Sequence, residues 1–166
     1  PLSSIQAVAN AWDTPLNDVA LCILDAAMNR YLRETGRRPD RPLVAICPVS
    51  LHDPDLKQAT TLVTNFWTPL GKPSSPADQR MRRVIANTRQ AKERIRALPK
   101  EAAYVYSVLN FSLGETLPLI WPGPREFFVL SNVLISNVRG PSEPLYLNGA
   151  RLEALCPVST LIAGMG

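Results

Sequence analysis

The stretch from Phe127 to Ser159, FFVLSNVLISNVRGPSEPLYLNGARLEALCPVS, restricts the possible folds more than any other part of the sequence. Phe127 to Leu130 and Val133 to Ile135 are apolar runs of aromatic and β-branched types that suit a pleated surface, and they predict a strand. Asn137-Val138-Arg139-Gly140-Pro141-Ser142 then ends it. Gly140 is free to take φ > 0, Pro141 has no ladder donor, and the Asn137 amide can bond nearby backbone. Beyond this loop, Leu145 to Leu147 and Arg151 to Leu155 flank Asn148-Gly149, a pair that favours a tight hairpin because both positions tolerate φ > 0. Such a chain must build a sheet that ends in a stiff, polar turn.

The preceding segments alternate in period. Ser3 or Ser4 is placed to cap a short helix through Ile5, Val8 and Ala11. Thr14 is placed to cap a second, with Pro15 at its first position, where the missing N–H costs nothing. Its apolar stripe of Leu16, Val19, Ala20, Ile23, Leu24, Ala27, Met28, Tyr31 and Leu32 runs to Gly36. Leu43 to Val49 and Thr60 to Leu70 read as strands. Pro76 opens a helix to about Leu98 with Met81, Val84, Ile85, Thr88, Ala91, Ile95 and Leu98 inward, and a further helix follows from Lys100 to Phe111. Helices alternating with strands predict an α/β fold, a mixed β-sheet with packed helices. The 166 residues suffice for one domain, residues 1–166, with a real core.

No apolar run reaches the roughly 18 residues that a membrane span needs. Pro1-Leu2-Ser3 is neither a Met start nor a signal peptide, so the chain is expected to begin within a longer protein or to have been processed. Cys22, Cys47 and Cys156 are odd in number, far apart and set among apolar neighbours, which predicts reduced, buried thiols and a cytoplasmic setting.

Charge is concentrated in one place. Between Asp78 and Arg96 there are seven cations, Arg80, Arg82, Arg83, Arg89, Lys92, Arg94 and Arg96, against two carboxylates, while the whole chain carries only +4. The basicity is therefore local and is not read as a nucleic-acid footprint across the fold; a nucleic-acid binder using this helix is the weakest alternative, since the exposed aromatic and glycine patterns of such modules are missing. A basic helix with Arg80, Arg82, Arg83, Arg89 and Lys92 outward would face anionic lipid or the phosphates of a coenzyme, or would simply be a solvated face.

Catalytic motifs are missing. His52, the single histidine, is followed by Asp53-Pro54-Asp55 in a loop. There is no Gly-x-Ser-x-Gly elbow, and neither a phosphate loop nor a dinucleotide pattern occurs.

Ser136-Asn137-Val138-Arg139-Gly140-Pro141, Pro144-Leu145-Tyr146-Leu147, Gly149-Ala150-Arg151 and Pro157-Val158-Ser159 together resemble the C-terminal half of the bacterial bifunctional wax ester synthase/diacylglycerol acyltransferase family. A second block agrees in order: Asn17-Asp18-Val19, then Arg41-Pro42-Leu43-Val44-Ala45 leading to Pro48-Val49-Ser50-Leu51. The family's usual Pro before the Gly is Arg139 here. The resemblance implies the second half of a CoA-dependent acyltransferase sandwich, related to chloramphenicol acetyltransferase. It implies transfer of a fatty acyl group from acyl-CoA to diacylglycerol or a long-chain alcohol, with no metal and no bound cofactor, acyl-CoA being a substrate. The family's base is a histidine in a His-His-x-x-x-Asp-Gly motif that this chain lacks, so an N-terminal half is the expected partner and the chain alone is expected to be inactive. Asn17, Asp18, Asn137, Gly140 and Pro141 are implied to shape the substrate channel. The plainer alternatives are helix-start chemistry for the first pair and a strand connection for the other three. Contact with a membrane or lipid inclusion is a further implication. A non-catalytic acyl-lipid-binding or scaffold module is the alternative function.

Overall fold

The computed structural model describes residues 1–37, 39–50, 63–99, 131–138, 140–141, 143–156 and 158, together with 102–103, 105–106, 108–109 and 112. Two helices open the chain, α1 (Leu2–Ala11) and α2 (Leu16–Glu34). Pro1 and Pro15 occupy the cap positions expected of serine and threonine, and neither helix start has a side-chain cap. Thr14 instead turns its hydroxyl onto the Asp18 carboxylate, at 3.0 Å. At its other end α2 stops where Gly36 takes φ +78. The Gly36 N–H then donates to the Arg33 carbonyl at 3.1 Å and the Arg37 N–H to that of Leu32 at 2.8 Å, closing the last turn as a left-handed cap does.

The main sheet is mixed, as the alternation of periods predicted. Its order is β2-β1-β3, with β1 (Val44–Ser50) in the middle. β2 (Val63–Pro69) runs antiparallel to β1, from Val44 opposite Pro69 to Ser50 opposite Val63. β3 (Val133–Leu134) runs parallel, with Val133 beside Ala45 and Leu134 beside Ile46. Asn132 pins the two starts together: its N–H donates to the Val44 carbonyl at 2.8 Å, and its side-chain oxygen accepts from the Val44 N–H at 2.7 Å. A parallel pairing needs a long crossover. Here it contains α3 (Ala77–Arg96) and the helical positions described between 102 and 112. The strand predicted at Phe127 to Leu130 and the His52 loop lie outside the described residues.

Strand alternation puts Ala45 and Cys47 of β1 on the same sheet face as Phe66 of β2. They join Leu21 of α2, Val84 and Ile95 of α3, and Leu70, Ala103 and Ile135 in one buried cluster. A second cluster of Ala9, Val19, Cys22 and Met81 ties α1 to α2 and α3. The inward face of α3 agrees with the sequence pattern except at Arg80, which is buried as well, and at Leu98, which lies beyond the helix end and is 38% exposed. The face of α2 does not agree. Asp18, Val19, Leu21, Cys22, Asp25 and Asn29 are buried, whereas Ile23, Leu24 and Tyr31, read from periodicity as core, are 50%, 42% and 63% exposed. The polar stripe turns inward because both carboxylates find cationic partners on α3.

Beyond the main sheet, β4 (Tyr146–Leu147) and β5 (Ala150–Arg151) form the expected hairpin, with Asn148 at φ 48 and Gly149 at φ 81. Cys156 corrects the expectation of three buried thiols: it is exposed, and only Cys22 and Cys47 are buried. Among the described residues, no helix is long and apolar enough to cross a membrane.

Candidate functional site

Where the start of α2, the C-terminal half of α3 and the end of β1 meet, they enclose a cavity of about 480 Å³. Pro15, Val49, Ile85 and Ile95 give it apolar lining; Asp18, Arg89, Lys92, Glu93 and Arg96 give it charge, and Thr14 a hydroxyl. Asp18 is 3% exposed and held on both oxygens. One lies 3.1 Å from the Lys92 ammonium, and the other accepts the Thr14 hydroxyl at 3.0 Å. The first turn of a 19-residue helix favours a carboxylate there, since the free N–H groups present partial positive charge. Lys92 in turn stands 5.9 Å from the centre of the Phe66 ring. The result is a fixed carboxylate–ammonium pair on the wall of a partly apolar space. Such a pair can orient the polar end of an amphiphile whose hydrocarbon part lies along the apolar lining.

Sheet topology adds to this wall. Because β1 and β3 are parallel, the segment after β3 leaves the sheet at the end where Val49 lines the cavity. The Ile135 N–H still donates to the Ile46 carbonyl at 3.0 Å, and Asn137 follows two residues beyond that bond. Asn137 is exposed, as are Gly140 and Pro141. Gly140 corrects one expectation, since its φ is outside the left-handed region and a Cβ there would meet nothing within 4 Å. Asn17 is half-buried in the first turn of α2 and is not part of the cavity lining.

Of the residues singled out in the sequence, the cavity thus gathers Asp18, Arg89 and Lys92. Arg82 and Arg83 line a different recess. Arg80 is a correction: it does not belong to an outward basic face. It is 6% exposed and ion-paired with Asp25, which is itself fully buried. The Gly71 N–H donates to the same Asp25 oxygen at 3.0 Å, and the Asn29 amide donates to the other at 2.8 Å. Burial pushes the Asp25 carboxyl above its ordinary value, against the pull of Arg80, Gly71 and Asn29. Gly71 is needed for this approach, since a Cβ would come within 2.6 Å of both the Arg80 stem and the Asp25 carboxylate. Sequence reasoning missed Thr14, Glu93 and Arg96 of the cavity, and it missed Asp25. The available signals were Thr14 and Asp18 at i, i+4, and the seven-residue spacing of Asp18 and Asp25 on a single helical face.

Comparison with known proteins gives a consistent result. The family described as the WS/DGAT C-terminal domain matches residues 57–166. Tgs4 of Mycobacterium tuberculosis, named a probable diacylglycerol O-acyltransferase, is 33% identical over 169 residues, which cover 100% of this chain and 35% of that protein. Another M. tuberculosis protein named as a diacylglycerol O-acyltransferase is 38% identical over 171 residues, covering 99% of this chain and 36% of its own length. The solved structure of a wax ester synthase/diacylglycerol acyltransferase from Marinobacter aquaeolei VT8 superimposes with a TM-score of 0.72 at 32% identity, over 90% of this chain and 33% of that one. This chain spans about a third of the length of the relatives it matches.

Proposed function

We propose, because this chain belongs to the WS/DGAT C-terminal domain family, that it is the C-terminal part of an O-acyltransferase that moves a fatty acyl group from acyl-CoA to diacylglycerol or a long-chain alcohol. In that reaction the acceptor oxygen attacks the thioester carbonyl while a base takes its proton. The tetrahedral intermediate then expels the CoA thiolate, which is protonated in turn, leaving an ester and free CoA thiol. An alcohol is far too weak an acid to attack unaided, so a base near pKa 7 within hydrogen-bond reach is required. A preceding N-terminal part, with the family's paired histidines, supplies that base in this reading, and residues 1–166 act as one supporting domain. Acyl-CoA is a substrate, and neither a metal nor a bound cofactor takes part. The cytoplasmic setting and contact with a lipid surface belong to the same proposal.

The observation that supports a substrate-facing role is the Asp18–Lys92 pair on the wall of the 480 Å³ cavity. The pair orients the acceptor or the acyl thioester, and Val49, Ile85 and Ile95 accept its hydrocarbon. The test is thiol release from a long-chain acyl-CoA by the full-length protein, with diacylglycerol or a long-chain alcohol as acceptor. Asp18→Asn is expected to lower kcat/KM by about tenfold or more, the loss of one charge-assisted contact, measured at a temperature where circular dichroism shows the variant folded. Absence of turnover with every acyl-CoA and acceptor would overturn the function, and wild-type kinetics in Asp18→Asn would overturn the role of the pair.

A further inference from the structure

A second recess, of about 400 Å³, lies between the turn after β2 and the first turns of α3, and is lined by Lys72, Ser75, Gln79, Arg82 and Arg83. We propose that this recess is a phosphate-binding site, separate from the cavity beside Asp18. Three cationic residues line it together with a serine and a glutamine, and no carboxylate lines the space. Asp78, the acidic residue of the first turn of α3, is not part of the lining. The cations that α3 turns inward are neutralised, Arg80 by Asp25 and Lys92 by Asp18. Lys72, Arg82 and Arg83 have no carboxylate partner among the described residues. Like charges gathered in this way repel one another, and a dianion relieves the repulsion while accepting several charge-assisted hydrogen bonds.

The recess is also held in shape by groups that lie outside it. Arg80, anchored on Asp25, extends its other terminal nitrogen to the carbonyls of Pro73 and Ser75, each at 3.4 Å. The Ser75 N–H donates to the Lys72 carbonyl at 3.0 Å, so the turn carrying both lining residues is tied to a buried ion pair. Arg82 is steadied from another side, its guanidinium lying 5.2 Å from the centre of the Trp12 ring. α3 begins at Pro76 with no side-chain cap, which leaves its first-turn N–H groups as further donors at the same place. Donors fixed before the ligand arrives lose little freedom on binding. A planar guanidinium fork at Arg82 and another at Arg83 suit the tetrahedral oxygens of a phosphate. Arg82 and Arg83 belong to the basic helix whose sequence pointed to lipid or coenzyme phosphates, Lys72, Ser75 and Gln79 were not singled out, and the site does not depend on acyl transfer.

Pyrophosphate titrated calorimetrically into the full chain tests the proposal, with flotation on phosphatidylcholine vesicles, with and without phosphatidic acid, run beside it. Pyrophosphate should bind saturably, and the double variant Arg82→Gln/Arg83→Gln should weaken it by about tenfold or more. The charge-matched control Arg37→Gln/Arg94→Gln, away from the recess, should change it by less than about twofold, with melting temperatures confirming that both variants fold. Flotation that needs phosphatidic acid and is lost in Arg82→Gln/Arg83→Gln assigns the phosphate to a lipid headgroup. Pyrophosphate binding without flotation assigns it to a soluble phosphate. No saturable binding in either arm, or equal weakening by the two double variants, overturns the proposal.

Discussion

Asp25 lies at the centre of the α2–α3 contact, and truncating it should destabilise the fold severely. Its side chain has no exposure, and that of Arg80 has 7%. Asp25→Ala therefore leaves a guanidinium buried without its anion, a defect that costs about 3–5 kcal/mol. It also orphans the Gly71 N–H, which adds about 1 kcal/mol or more. Against a total domain stability of about 5–15 kcal/mol, that brings the variant close to its unfolding midpoint at room temperature. The double variant Asp25→Leu/Arg80→Met removes both charges and keeps most of the volume, so it should recover most of the loss. Urea unfolding of the full chain, followed by tryptophan fluorescence and circular dichroism, measures Asp25→Ala and, with the single variants Asp25→Leu and Arg80→Met added, all four corners of the Leu/Met cycle. If Asp25→Ala costs less than about 1 kcal/mol, or if the double variant is as unstable as the sum of its parts, the pair is not the structural anchor described here.

Four further outcomes are expected. Gly71→Ala forces a methyl to within 2.6 Å of the Arg80 stem and the Asp25 carboxylate, and should cost about 1–3 kcal/mol by the same urea titration. Thiol reagents at mildly alkaline pH should label the exposed Cys156 at once and leave Cys22 and Cys47 until the protein unfolds; burial raises both thiols, Cys47 to about 12. Because the folded Cys47 keeps its proton above the unfolded thiol's 9.0, its contribution to stability is full below that pH and is lost as pH rises towards 12; Cys47→Val should flatten this alkaline decline. Thr68 is fully buried, and its hydroxyl has no hydrogen-bond partner among the described residues, so Thr68→Val should stabilise by about 0.5–1 kcal/mol, read as a higher urea midpoint.

Features set by local backbone chemistry were legible in the sequence. Asn148-Gly149 specified its turn because two consecutive positive φ angles suit few residue pairs, and Gly36 ended α2 for a related reason. The mixed sheet and its packed helices followed from the change of period between segments. The inward face of α2 was not legible, because its identity depends on Arg80 and Lys92, 55 and 74 residues away from their carboxylates. Without those partners, Asp18 and Asp25 belong outside and Ile23 and Leu24 inside, which is what periodicity suggested. The candidate site divided along the same line. Asp18 was singled out by its motif, but its lysine, its threonine and the cavity they share arise from tertiary packing.

The central strand takes its two neighbours from very different distances along the chain. β2 follows soon after β1, but the Val44 N–H waits for Asn132, 88 residues later. At a ribosomal rate of about 5–20 residues per second, that edge of β1 stands open for roughly 4–18 s after it is made. An unpaired row of N–H and C=O groups beside Ala45, Ile46 and Cys47 is a template for the wrong strand, from this chain or from another. Slow translation or high expression of such a polypeptide therefore favours inclusion bodies, and chaperones that shield nascent strands should matter more to its yield than the final strength of its core.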